Sequence, residues 1–208
     1  MIISISGPAS TGKTTLIRKI KEIGKLGKYS KIVIVNEVIR DIFKNNFLPK
    51  VGSMENMMKD KELVLEWIEK VGQETSMHIN NEIKKNLEED TLIILDRCII
   101  DHFIYSIMHT AKFDIPLEGF YNAIKTYTLS ETKIDYIFLT SIPEKDFYDI
   151  DGIRPKDWEE TRGLENSLFQ LLFGNNCINL PYDIDERISI IDSTISYRKE
   201  ENKLSLSK

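Results

Sequence analysis

One short run near the start of the chain combines residue types that serve a single kind of chemistry. It reads Gly7-Pro8-Ala9-Ser10-Thr11-Gly12-Lys13-Thr14, a glycine at each end of a small loop and then lysine and a hydroxyl residue. Glycines let the main chain turn and bring its N–H groups close to phosphate oxygens. Lys13 supplies a point charge suited to β- and γ-phosphates, and the Thr14 hydroxyl suits Mg²⁺. Gly7, Ser10, Thr11, Gly12, Lys13, Thr14 and Thr15 are the expected phosphate-binding set. An apolar run, Ile2 to Ser6, precedes the loop, and a helical pattern (Leu16, Ile17, Ile20, Ile23) follows it. The positive end of that helix adds to the attraction for anions.

A bound triphosphate needs a carboxylate near its metal, at the end of a neighbouring strand. Leu92-Ile93-Ile94-Leu95-Asp96 supplies one, and Asp96 is the second expected metal residue after Thr14. Arg97 follows directly and is suited to pairing with an anionic or hydroxyl-bearing acceptor. Glu37 leaves the second strand in the same way, with Arg40 one helical turn on. A carboxylate there can take the proton of an acceptor hydroxyl. Asp149 to Arg162 holds Gly152, Pro155, Arg154 and Arg162, and reads as a mobile loop whose arginines close over a transferring phosphoryl group. Lys13, Glu37, Asp96, Arg97, Arg154 and Arg162 are the expected catalytic residues.

The elements that hold these side chains alternate. Ile2–Ser6, Ile32–Val35 entered from Lys31, Thr91–Leu95, Tyr136–Leu139 and Cys177–Leu180 read as strands buried on both faces. Lys13 to Ile23 reads as a helix. Val64, Trp67, Ile68 and Val71, then Ile79, Ile83 and Leu87, fall at helical spacing. Ile184, Ile188, Ile191 and Ile195 do so again behind a capping pair, Asp183 and Glu186. These stripes are expected core faces of helices on both sides of a parallel sheet.

At 208 residues the chain fits a single domain over 1–198, with a polar tail over 199–208 expected to fray. Its net charge of −5 gives no global basic field, so nucleic acid is not the expected partner. The apolar start is stopped by Gly7-Pro8, and no run approaches the length that spans a bilayer, so a cytoplasmic setting without membrane contact is expected. Cys98 and Cys177 have no metal-ligand spacing and read as ordinary thiols of a reducing compartment. His78, His102 and His109 form no closely spaced metal pair and suit packing or solvent better than zinc. The oligomeric state is left open, a homodimer included.

Four features together resemble the nucleoside and nucleotide kinase group of P-loop proteins. They are Gly7 to Thr14; Glu37 with Arg40; Asp96-Arg97-Cys98-Ile99-Ile100-Asp101 with Tyr105; and Asp151-Gly152-Ile153-Arg154. Within that group the chain is most similar to ribosylnicotinamide-kinase-like domains and to phage or bacterial ATPase/kinase-like (AAA-type) domains. The resemblance implies a P-loop NTPase three-layer α/β sandwich, a five-stranded parallel sheet of order 2-3-1-4-5 and a helical lid. It also implies ATP with Mg²⁺, and a nucleoside or nucleotide acceptor held between Glu37 and Arg97. Helices from Ser53 to Leu87 would wall the acceptor site, with Gln73 a candidate contact, and Asp101 and Tyr105 would support Arg97 or line the pocket. The group usually carries Glu-Arg-Ser or an Asp-Arg-aromatic sequence where this chain has Asp96-Arg97-Cys98, so the acceptor stays open. A 5′-hydroxyl polynucleotide kinase and a P-loop ATPase that switches a partner protein are the competing functions.

Overall fold

The structure, a computed structural model, describes residues 1–111, 113, 121, 124, 133–140, 142 and 158–206. Five strands, β1 (Ile2–Ser6), β2 (Lys31–Val35), β3 (Thr91–Asp96), β4 (Tyr136–Thr140) and β5 (Cys177–Leu180), lie where the apolar runs put them. They form one sheet in the order β2-β3-β1-β4-β5, with every neighbouring pair parallel. This is the order expected from the family resemblance.

Helix α1 (Lys13–Ile23) follows the glycine loop; α2 (Ile39–Asn46), α3 (Leu48–Val51), α4 (Met54–Met57) and α5 (Lys61–Asn86) fill the space between β2 and β3. Next come α6 (Ile99–Ala111), α7 (Trp158–Phe173) and α8 (Ile184–Leu206). Parallel strands need cover on both faces, and the helices provide it. On one face Ile3 and Ile5 of β1 pack with Leu16 and Ile20 of α1 and with Ile191 and Ile195 of α8. On the other, Ile93 and Leu95 of β3 meet Ile79 and Ile83 of α5, Ile104 of α6 and Phe169 of α7. A third cluster, including Phe43, Phe47, Met57, Trp67 and Ile68, folds α2 and α4 onto the first half of α5. Asp60 starts α5 by accepting from the Glu62 and Leu63 amides, and Asp183 starts α8 in the same way from Asp185 and Glu186.

Three expectations are corrected. Leu87 is exposed beyond the end of α5, and Ile23 is exposed in the last turn of α1, because each periodic stripe outruns the neighbour that would cover it. The tail expected to fray from Lys199 continues as the backbone of α8 to Leu206. Lysine and glutamate, which recur there, are good helix formers. The stretch read as a loop through Arg162 is helical from Trp158 onward.

The C-terminal ends of β1, β3 and β4 share one edge of the sheet. β1 sits between the other two, pairing Ile5 with Asp96 on one side and Ser6 with Leu139 on the other. The connections diverge at this point, which is where open α/β sheets bind ligands. Gly7 leaves β1 with φ +125°, and a Cβ built on it would lie 2.8 Å from Thr140 Oγ1 and 2.9 Å from the Thr140 carbonyl. Only glycine combines that backbone with that approach. Gly7→Ala is expected to lose about 2–4 kcal/mol of stability in urea unfolding, from backbone strain and overpacking together. A variant as stable as the parent would contradict the close packing of the loop on β4.

Candidate functional site

The glycine loop closes on itself around a buried ammonium. Lys13 Nζ donates to the Gly7 carbonyl at 2.8 Å, to the Pro8 carbonyl and to Thr11 Oγ1 at 3.3 Å. Burial, with Arg97 nearby, lowers its pKa to about 7, against the pull of Glu165, Asp101 and Asp96. Such an amine gains from a polyanion, which restores its full charge. Ser10 (φ +56°) and Gly12 (φ +83°) take left-handed turns that bend the loop. Thr11 is pinned inside, its hydroxyl donating to the Pro8 carbonyl at 2.9 Å and meeting the Thr140 hydroxyl. Thr14 and Thr15 are exposed in the first turn of α1.

Beside the loop, Arg97 is the junction between β3 and α6. Its φ of +72° is left-handed, which costs a non-glycine residue about 1–2 kcal/mol. Its amide still donates to the Ile5 carbonyl at 3.1 Å, and its side chain turns back across the sheet edge. Nε donates to Glu37 at 3.0 Å; Nη1 donates to the Gly7 carbonyl at 3.0 Å and to Asp101 at 3.0 Å. The guanidinium lies 5.3 Å from the Tyr105 ring centre. Burial opposes its charge, but Tyr105, Glu37 and Asp101 outweigh burial and hold it protonated.

Asp101 in the first turn of α6 completes the arrangement. Oδ1 also accepts from the Gly7 amide at 3.2 Å, and Oδ2 accepts from the Cys98 amide at 3.0 Å. One fully buried carboxylate thus joins the start of the glycine loop, the start of α6 and Arg97.

Glu37 faces a narrow cleft lined by Val35, Ile39, Thr75, His78, Asp96 and His102, among others. Burial raises the Asp96 carboxyl above the usual range; Arg97 opposes the rise and Glu37 adds to it. A cation at this point would relieve the strain. Among the described residues no cluster of three or more His, Cys, Asp or Glu could hold a metal. Thr14 and Asp96, the expected metal residues, offer one hydroxyl and one carboxylate, a donor set compatible with an ion that keeps most of its ligands from water and phosphate. Burial lowers His102 to about 4, so its ring is neutral at physiological pH and packs with Ser106.

The structure brings Lys13, Glu37, Asp96 and Arg97 to one edge. Arg40 is exposed on α2. Arg154 lies outside the described residues. Arg162 is buried within α7, not on a loop. Gln73 is exposed and bonds Glu69 at 3.3 Å; the cleft takes Thr75, His78 and Ile79 from α5 instead. Thr75 was detectable, since it interrupts the apolar stripe Val64, Ile68, Val71, Ile79. Two further residues were missed. Glu165 of α7 is fully buried, and its carboxyl is raised by burial against the attraction of Arg97 and Lys13. Arg187 of α8 donates from Nη1 to the Thr11 carbonyl at 2.7 Å. Its signal was a cation one turn into a helix, at the end where the dipole disfavours it.

Asp101→Asn replaces an acceptor of three donors with a side chain that must turn an NH₂ toward some of them. It is expected to lose about 2–4 kcal/mol in chemical denaturation, the cost of stranding a buried guanidinium and buried amides. A loss within about 0.5 kcal/mol, the range of ordinary surface changes, would contradict the central place given to this carboxylate.

A family model described as "AAA domain" matches residues 2–187. No curated protein matches the chain in sequence. Among solved structures, deoxyadenosine kinase from M. mycoides, with products dCMP and a flexible dCDP bound, is similar over 95% of this chain and 100% of its own, at 16% identity and TM-score 0.62. NadR protein in complex with NR is similar over 95% of this chain and 51% of its own, at 19% identity and TM-score 0.67. Thymidylate kinase from Ehrlichia chaffeensis is similar over 93% of this chain and 98% of its own, at 14% identity and TM-score 0.60. At these identities the likeness is one of fold, that of a P-loop domain with the sheet order described above. The family model spans the glycine loop, the acidic cleft and every strand of the sheet, and the chain belongs to the AAA-domain family.

Proposed function

We propose that this domain is an ATP-dependent phosphotransferase that phosphorylates a nucleoside or nucleoside-monophosphate-like small molecule. The observation that carries this is the Glu37 carboxylate, held at 3.0 Å by Arg97 and facing a cleft beside the glycine loop. A switch ATPase needs the loop but has no use for a carboxylate facing a second, narrow cleft. The three solved structures named above support the reading, since each carries a kinase's or NR-binding protein's name on this fold.

Gly7, Ser10, Thr11, Gly12, Thr15 and Lys13 hold the triphosphate, Lys13 exchanging the carbonyls of Gly7 and Pro8 for β- and γ-phosphate oxygens. Mg²⁺, when bound by Thr14 and Asp96, offsets charge on the phosphates. Glu37 takes the proton of the acceptor hydroxyl as its oxygen bonds to the γ-phosphorus and the bond to the ADP oxygen breaks. Arg97 holds Glu37 in place through the 3.0 Å contact. Arg154 and, from within α7, Arg162 are the further cations of this reading, offered to neutralise charge on the transferring group. The protein works in the cytoplasm, as a monomer or homodimer. The AAA-domain family name favours one second reading, a regulatory ATPase.

Labelled ATP, supplied with nucleosides, nucleoside monophosphates, nicotinamide riboside and a 5′-hydroxyl oligonucleotide, tests the reading. Label is expected on one small-molecule acceptor. With a hydroxyl acceptor, Glu37→Gln is expected to lower kcat by about 10²–10⁴-fold, the usual worth of a general base; a phosphate acceptor would lose less. Label on the oligonucleotide would make the protein an end kinase. ATP hydrolysis indifferent to every acceptor, and to Glu37→Gln, would leave the switch.

A further inference from the structure

The glycine loop is held from a direction that its motif does not specify. Arg187 lies one turn into α8, the helix that follows β5, and is 2% exposed. Nε donates to the Pro181 carbonyl at 2.5 Å, Nη1 donates to the Thr11 carbonyl at 2.7 Å, and the guanidinium lies 5.8 Å from the Tyr182 ring centre. A Cβ built on Gly12 would come within 3.3 Å of Nη1, so the guanidinium presses on the loop's second glycine. Nη2 is buried and has no hydrogen-bond partner among the described residues. A buried guanidinium nitrogen without an acceptor is costly, so its place here is held by the contacts of the rest of the group.

The peptide between Thr11 and Gly12 is trans and planar, so its carbonyl and its N–H point in opposite directions. With the Thr11 carbonyl drawn to Arg187, the Gly12 N–H faces away from α8. Thr11 cannot swing, since its hydroxyl is tied to the Pro8 carbonyl and meets Thr140. Resting on the nucleotide site proposed above, we propose that Arg187 is a positioning residue for the phosphate cradle: it fixes the Thr11–Gly12 peptide with its N–H turned toward the phosphates. A cation at the head of a helix works against the dipole, and burial lowers the pKa of this one; a polyanion offsets both costs.

The test is calorimetric titration of the wild type, Arg187→Gln and Arg187→Lys with two probes in magnesium buffer, AMP-PNP and inorganic tripolyphosphate. Thermal melting is recorded beside it. Tripolyphosphate reports the cradle alone. Arg187→Gln is expected to bind both probes about tenfold or more weakly, the scale of a hydrogen bond to a charged group. Arg187→Lys, which keeps the charge and one donor, is expected to fall between it and the wild type. A merely structural role would lower the melting temperature of both variants without ordering their affinities in this way. A folded Arg187→Gln with wild-type affinity for tripolyphosphate overturns the proposal, as does a loss confined to AMP-PNP. If Arg187→Gln does not fold, Arg187→Lys decides: an affinity unchanged for tripolyphosphate overturns the proposal, and a loss of about threefold or more sustains it. A wild type that takes up neither probe would overturn the nucleotide site itself.

Discussion

The carboxylate of Asp101 is the constraint on which the site depends. It is fully buried and accepts from the Gly7 amide, the Cys98 amide and Arg97. Each donor begins a different part of the site: the glycine loop, the helix that backs the cleft, and the side chain that holds Glu37. A buried charge is tolerated only when it is paired and its lone pairs are used, and here both oxygens are used. Arg97 meets the same demand with contacts to Glu37, the Gly7 carbonyl and Asp101. The left-handed backbone at Arg97 is the strain that this network sustains. A continuing strand would send its side chain elsewhere, and Glu37 would lose its partner.

The rest of the fold keeps that junction still. β1 and β3 are buried throughout apart from Asp96, and helices cover both faces. Ser4 and Ser6 of β1 bond each other at 2.9 Å, and Ser6 reaches Cys98 Sγ at 3.5 Å, so the polar positions of the strand bind the β3–α6 turn. Three cations, Lys13, Arg97 and Arg187, bond carbonyls of the glycine loop in a protein whose net charge is −5. That grouping suits the binding of a polyanion. The third apolar cluster, between α2, α4 and α5, is separate from the two sheet cores.

Much of this was legible in the residues. Strands stood out because a parallel strand buried on both faces needs a continuous apolar run. The glycine loop stood out because phosphate binding permits few other residue types at that spacing. Asp96 and Glu37 followed from their places at strand ends. The left-handed turn at Arg97 had no such signal, since nothing local favours it; long-range partners impose it. Arg187 and Glu165 come from helices distant in sequence, and only the packed sheet brings them to the loop. Gln73, a candidate contact from resemblance alone, is an exposed surface residue, while Thr75, two positions on, breaks an apolar stripe and lines the cleft. Leu87 and Ile23 show that periodicity marks a helix face but not where the covering neighbour stops.

The most direct measurement is a crystal structure of the protein grown with AMP-PNP and magnesium. The account predicts the triphosphate inside the loop from Gly7 to Thr14. Lys13 Nζ should have left the Gly7 and Pro8 carbonyls for phosphate oxygens, while the contacts of Asp101 to Gly7, Cys98 and Arg97 persist. A nucleotide bound elsewhere, or Lys13 still closed on its own loop with no phosphate in the cradle, would contradict it.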